Sequence, residues 1–247
     1  MGSDALMAEI RSHVLLPKFI LQRFTNADNF FFVYDPVANV IKRSGPKQFN
    51  VERGYYAPDF ERHLNKNIES AFSSTLCKIE IFLRERADAV FIKRNTIMEY
   101  FYSLFGRSPD LHWHLTEDPF LSLVYSQQEL HCLATEGGMQ EAKRDFKDLH
   151  CDIAIINNTT TIDFVLPASG ICAFPSDEQE SYYLILSPKL AIRICSPGED
   201  RVAVGRMSAD NIMWINRVSI QHEKLKKGKI IVANRSLLNE LRRKQCC

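Results

Sequence analysis

Three observations predict an α+β fold for this chain. Apolar residues recur at three- and four-residue spacing between about residues 60 and 105, short β-branched runs follow after about residue 150, and most pairs of those runs leave no room for a ten-residue crossover helix. The expectation is one domain over residues 1–247. Its helical part, about 1–150, carries a β-hairpin and packs against a mainly antiparallel sheet drawn from the β-rich part, about 151–247.

The elements follow in order. Phe30 to Tyr34 and Val40 to Arg43 read as two strands joined around Asp35-Pro36-Val37-Ala38-Asn39, a hairpin signal. Leu64, Ile68, Ala71, Phe72, Thr75, Leu76, Ile79, Phe82 and Leu83 form one apolar stripe, so residues 60–86 are predicted to be a single long amphipathic helix. A second helix over Arg94 to Phe105 stops at Gly106. Ser108-Pro109 and Asp118-Pro119 are helix-start signals, with Gly137-Gly138 ending that segment and Met139 to Leu149 forming a further helix. Beyond them, Ile153 to Ile156, Thr161 to Leu166, Tyr182 to Leu186, Leu190 to Cys195 and Arg201 to Val204 are predicted strands. Ser208 to Ile220 is predicted as a helix, Lys229 to Ala233 as a strand and Ser236 to Lys244 as a closing helix.

A 45% hydrophobic content with 16 Phe is enough for a proper core, and the longest apolar runs fall short of the 18 or so residues a membrane span needs. The start MGSDALMAEIRSH lacks the apolar centre of a secretory signal, so the expected location is cytoplasmic. Seven cysteines, mostly single within apolar runs, fit a reducing compartment without disulfides. Net charge is +1, yet Lys224, Lys226, Lys227, Lys229, Arg235, Arg242, Arg243 and Lys244 face only Glu240 in the last segment. That segment therefore carries +7, which leaves 1 − 7 = −6 for residues 1–223. A concentrated positive end attracts anions, so the expected partners are a nucleic acid or an acidic protein.

Pro17, Leu21 and Phe24 stand in the order V/L-P-x-F-x-L-x-x-F, and a run ending in Val33-Tyr34-Asp35 follows. Phe49 to Tyr56, ending in a tyrosine pair, the two steps Ile68-Glu69 and Ile79-Glu80, Arg107-Ser108-Pro109 and Leu186 to Ala191 continue the pattern. Together these pieces resemble the domain of unknown function 4238 family. Two departures fall on polar positions: Val14, with His13 one place earlier, stands where that family has a histidine, and Pro167-Ala168-Ser169-Gly170 where it has serine-aspartate-asparagine-proline. The resemblance implies a fold rather than a reaction.

Candidate chemistry is sparse. Glu69 and Glu80 are eleven residues apart on the long helix, roughly 16 Å along the axis, too far to share a proton or a metal ion. Each is expected to form a structural ion pair with a cation on a neighbouring element, such as Arg23 or Arg107. Arg107 with His112 or His114 resembles the arginine-histidine motif of HEPN ribonucleases, which implies metal-independent cleavage beside a ribose hydroxyl. His131-Cys132 and His150-Cys151 supply zinc-ligand residue types, but adjacent side chains diverge, and neither a metal nor another cofactor is expected. Cys246-Cys247 after a basic run is similar to a prenylated terminus and is read as chance termination. There is no G-x-x-x-x-G-K-S/T, H-E-x-x-H, G-x-S-x-G or G-x-G-x-x-G, and no nucleophile has a visible base. The sequence decides neither for nor against an enzyme. The leading expectation is a binding or regulatory protein that uses its basic end; the rival is a HEPN-like ribonuclease acting in defence or growth arrest.

Overall fold

The computed structural model describes residues 11–85, 93–107, 115, 117–146, 151–174, 180–196 and 198–243. It is an α+β structure, as the periodicities predict. Strand β1 (Arg11–His13) leads to α1 (Lys18–Gln22), then the hairpin β2 (Phe31–Asp35) and β3 (Val40–Ser44), and β4 (Val51–Arg53). Next, α2 (Pro58–His63), a π-helical turn (Leu64–Glu69) and α3 (Ser70–Glu85) run on as one continuous helix, followed by α4 (Arg94–Gly106) and α5 (Gln127–Phe146). The β-rich part holds β5 (Asp152–Asn157), β6 (Leu166–Pro167), β7 (Ile171–Phe174), β8 (Glu180–Ser187), β9 (Leu190–Ser196) and β10 (Val202–Gly205). After them come α6 (Ala209–Leu225), β11 (Ile230–Val232) and α7 (Arg235–Arg243).

Among the described residues the strands form three sheets. β1 pairs with β4; β10-β5-β9-β8-β7 form a five-stranded sheet and β3-β2-β11-β6 a four-stranded one. All pairings are antiparallel except β10 on β5. The second sheet is assembled from both ends of the chain: Ile231 lies opposite Val33 of the hairpin. The hairpin turn closes because the Asp35 carboxylate accepts the amides of Val37 and Ala38, and Asn39 takes the left-handed φ of 54° that asparagine tolerates.

The P-x-F-x-L-x-x-F run is core. Pro17 fixes the entry to α1, Leu16, Ile20, Leu21 and Phe24 are buried, and Phe19 packs against Phe72 and Tyr100, themselves stacked at 3.9 Å. A second aromatic group joins helices to sheet: Phe101 of α4 meets Phe146 of α5 and Tyr182 of β8 edge-on at 5.1 and 5.4 Å.

Four sequence expectations need correction or extension. The long helix is not uniformly α: the Ser70 amide reaches back to the Asn65 carbonyl, and the Ser70 hydroxyl donates to the same oxygen at 2.7 Å. One extra residue is thereby accommodated in the turn, which re-aims the residues around it. Gly137-Gly138 does not end a helix; α5 runs through it. Its start is a capping box instead, in which Glu129 accepts from the Ser126 amide and hydroxyl while its own amide donates to the Ser126 hydroxyl. The helix runs on despite a cost of about 1 kcal/mol per helical glycine: Gly137 is exposed with open space beside it, but the flanking Thr135 and Met139 pack on α4 so tightly that a Cβ on Gly106 would lie 2.3 Å from the Thr135 carbonyl oxygen. Asp118-Pro119 starts only a 3-10 turn, Leu121–Leu123, with the Asp118 carboxylate accepting from Phe120 and Leu121. Thr161 to Val165 is loop rather than strand, because two side chains take over its backbone partners. Asn158 donates to the Ile162 carbonyl, and Asn216 of α6 accepts from the Val165 amide while donating to the Asp163 carbonyl. The helix start at Ser108-Pro109 lies outside the described residues. Among the described residues, no helix is long and apolar enough to cross a membrane.

Candidate functional site

The end of α4 and the π turn together create the most concentrated buried polar cluster among the described residues. Arg107 caps α4 and turns its side chain inward, where Nη2 donates to Glu69 Oε1 at 2.5 Å with the arginine side chain only 2% exposed. Nε and Nη1 of the same guanidinium are buried with no hydrogen-bond partner among the described residues. Tyr56, Tyr100 and Glu61 are buried around it. Tyr56 accepts a hydrogen bond from the Thr135 hydroxyl at 3.1 Å, and Glu61 accepts one from Asn65 Nδ2 at 3.1 Å. The Ser12 hydroxyl is buried beside Glu61 and helps to lower its carboxyl.

The electrostatics follow from burial. Desolvation works against the charge on Arg107, but Glu69, reinforced by Tyr56 and Tyr100, outweighs it and the guanidinium is held even more firmly protonated than usual. Burial raises the Glu61 carboxyl above its ordinary value although Arg107 pulls it down, and burial likewise raises the Tyr56 phenol. One cation thus faces one committed carboxylate and a second that resists ionisation. The sign of the linkage is fixed: Glu61 holds its proton in the fold at pH values where the unfolded chain has lost it, so its contribution is fully present below the ordinary carboxyl range and is lost as pH rises through the raised value. Glu61→Gln is therefore expected to stabilise the protein at pH 7 and to have a smaller effect at pH 4. Urea unfolding at the two pH values checks this, and an equal shift at both would show that Glu61 ionises normally.

Arg23 and Glu80 form a second ion pair at the other end of the long helix. Nε and Nη2 of Arg23 reach both carboxylate oxygens, at 2.9 and 3.2 Å, while Nη1 donates to the Phe19 carbonyl. This fork ties α1 to α3. His112 and His114 lie outside the described residues, so among those residues Arg107 is brought to Glu69 and not to a histidine.

The basic C-terminal residues are spread over the end of α6, the turn after it and α7. Lys224, Lys226, Lys227 and Arg235 are exposed, and Lys224, Lys227 and Arg235 have no ion-pair partner among the described residues. Lys229 instead pairs with Asp35, and that lysine holds the Asp35 carboxyl below its usual range. Arg242 and Arg243 end α7; Lys244, Cys246 and Cys247 lie outside the described residues. The zinc-ligand residue types are occupied elsewhere: His131 stacks on Tyr55 at 3.8 Å, Cys132 Sγ accepts the Ala57 amide, and His150 lies outside the described residues. Among the described residues no group of three or more His, Cys, Asp or Glu is placed to hold a metal ion.

Of the two departures noted in the sequence, Val14 is buried, and the preceding His13 donates Nε2–H to the Pro46 carbonyl at 2.8 Å. Ser169, in the turn after β6, donates its hydroxyl to the buried Glu223 carboxylate at 2.8 Å. Sequence reasoning missed Ser12, Tyr56 and Glu61, which belong to separate short elements that only the fold brings together.

A family model described as a protein of unknown function (DUF4238) matches residues 13–159. The chain belongs to the DUF4238 family. No curated protein and no solved structure matches it. The DUF4238 match takes in both ion pairs, Arg107 with Glu69 and Arg23 with Glu80, together with Tyr56, Glu61 and Tyr100. Pro167 to Gly170, Leu186 to Ala191 and the whole basic C-terminal segment lie beyond it. For this DUF4238 protein the matched region thus carries α1 to α5 and all of the buried cluster but Ser12, and the exposed positive charge of Lys224, Lys227 and Arg235 is a property of the remainder.

Proposed function

We propose that this DUF4238 protein is a binding or regulatory protein that engages an anionic partner through its basic C-terminal region, with nucleic acid as the first partner class and an acidic protein as the second. The supporting observation is that Lys224, Lys227 and Arg235 are exposed and lack ion-pair partners among the described residues, on elements that flank the same short strand β11. Exposed, unpaired cations release counterions when they meet a phosphate backbone, so their contribution is steeply salt-dependent. Three such contacts on duplex DNA correspond to a loss of about fortyfold in affinity between roughly 50 and 200 mM salt. The check is fluorescence anisotropy with a labelled duplex at both salt concentrations, using the protein and its Lys224→Gln/Lys227→Gln/Arg235→Gln variant. The expected outcome is a steep slope for the parent and a nearly flat one for the variant. Affinity that ignores salt, or that survives the triple substitution, removes the proposal. The alternative, a HEPN-like ribonuclease built on Arg107 and His112, ranks second because the Arg107 guanidinium is buried and committed to Glu69.

A further inference from the structure

A separate concave site lies between α1, the residues leading into β2 and the turn after β3. It has a volume of about 430 Å³, within the range of small-molecule pockets, and Lys18, Arg43 and Lys47 line it without any Asp or Glu. All three cations lack an ion-pair partner among the described residues. Like charges gathered in one cleft repel each other and raise the local potential, which is the field an anion relieves. Gln22 and Gln48 add neutral amide donors at the rim.

The apolar side of the cleft is equally specific. The Arg43 guanidinium lies over the Phe30 ring at 4.7 Å from its centroid, and Phe32 meets Phe30 edge-on at 5.4 Å. A guanidinium held over an aromatic ring offers a planar face on which a second flat group can stack, and its N–H groups can reach an oxyanion. Both walls are preformed. The Gly45 carbonyl accepts from the amides of Gln48 and Phe49, Phe49 is buried against Phe31 at 5.7 Å, and His13 holds the Pro46 carbonyl. On the opposite wall, the Asn26 side chain accepts from the amides of Asp28 and Phe30. A cleft built this way loses little conformational freedom when filled.

We propose that this cleft binds a small phosphorylated molecule carrying a flat ring, of the nucleoside monophosphate type, with Lys18, Arg43 and Lys47 taking the phosphate and the stacked Phe30 and Arg43 pair taking the ring. It lies within the DUF4238-matched residues and is independent of the basic C-terminal surface. The test is calorimetric titration of the full chain with AMP, adenosine and inorganic phosphate at about 50 mM salt, where surface charge is weakly screened. AMP is expected to bind with a dissociation constant below about 1 mM and both halves to bind much more weakly. Arg43→Gln and Lys47→Gln are each expected to weaken AMP binding by about tenfold or more, as loss of a charged hydrogen bond does. Lys42→Gln removes the same charge from the neighbouring position of the same strand, where the side chain points to the other face, and is expected to leave binding unchanged. Lys224→Gln/Lys227→Gln is likewise expected to leave it unchanged, which separates this site from the C-terminal one. Absence of AMP binding, inorganic phosphate binding as tightly as AMP, or Lys42→Gln matching Arg43→Gln would each overturn the assignment. Thermal unfolding of every variant confirms that these exposed substitutions leave the fold in place.

Discussion

Arg107→Met is expected to cost about 3–5 kcal/mol of stability, the range for breaking a buried ion pair by removing one partner. The guanidinium is 2% exposed and its Nη2 meets Glu69 at 2.5 Å, so the substitution strands the Glu69 carboxylate in a site that its own partner shaped. The same physics sets the second arm of the experiment. In Arg107→Met/Glu69→Leu no buried charge remains, and the double variant is expected to recover much of the loss, because two well-packed apolar groups are close in free energy to a buried pair. Urea denaturation of the parent, the two single variants and the double variant closes the thermodynamic cycle. A loss below about 1 kcal/mol would mean that Arg107 behaves as a surface pair does. Assays of RNA cleavage in EDTA on the same proteins decide the rival function. A variant that keeps its stability but loses metal-independent cleavage would move Arg107 from a structural role to a catalytic one.

The contrast between what periodicity reveals and what it hides is sharpest along the long helix. Eight apolar residues and Thr75 at helical spacing are enough to locate it, and the eleven-residue step separating Glu69 from Glu80 shows that both lie on one stripe. The π turn at Leu64–Glu69 leaves no signature of that kind, since one extra residue in a turn changes the direction of side chains and not their composition. Two members of the buried cluster, Asn65 and Glu69, lie within it. Glu61, Asn65 and Glu69 come from one helix, but Tyr56 enters after β4, Tyr100 and Arg107 from α4 and Ser12 from β1, and β1 and β4 are three-residue strands whose pairing is a tertiary event. The same reasoning explains the errors of element type. Gly137-Gly138 reads as a helix stop on local propensity, and the packing of the flanking Thr135 and Met139 on Gly106 of α4 overrides it. Thr161 to Leu166 has β-branched and aromatic residues, yet Asn158 and Asn216 satisfy its backbone and leave only Leu166 and Pro167 to pair. Asn158 acts locally, four residues before Ile162, whereas Asn216 and Gly106 act from elements distant in sequence.

Phe101→Ala is expected to cost about 3–5 kcal/mol, the range for truncating a fully buried aromatic ring. Phe101 is completely buried and has Phe105, Phe146 and Tyr182 edge-on at 4.9, 5.1 and 5.4 Å, so its removal opens a cavity bordered by α4, α5 and β8 together. Because those neighbours belong to both the helical and the β-rich parts, the experiment also asks whether the two parts share one folding transition. In a Trp113→Phe background, Trp214 of α6 is the sole tryptophan and reports on the β-rich part, while far-UV circular dichroism is dominated by the helices. A shared core predicts that Phe101→Ala shifts both probes to lower urea by the same amount, with coincident curves. If the dichroism midpoint falls while the Trp214 midpoint stays where it was, the helical and β-rich parts unfold separately and the aromatic contact between Phe101 and Tyr182 joins two independent units rather than one.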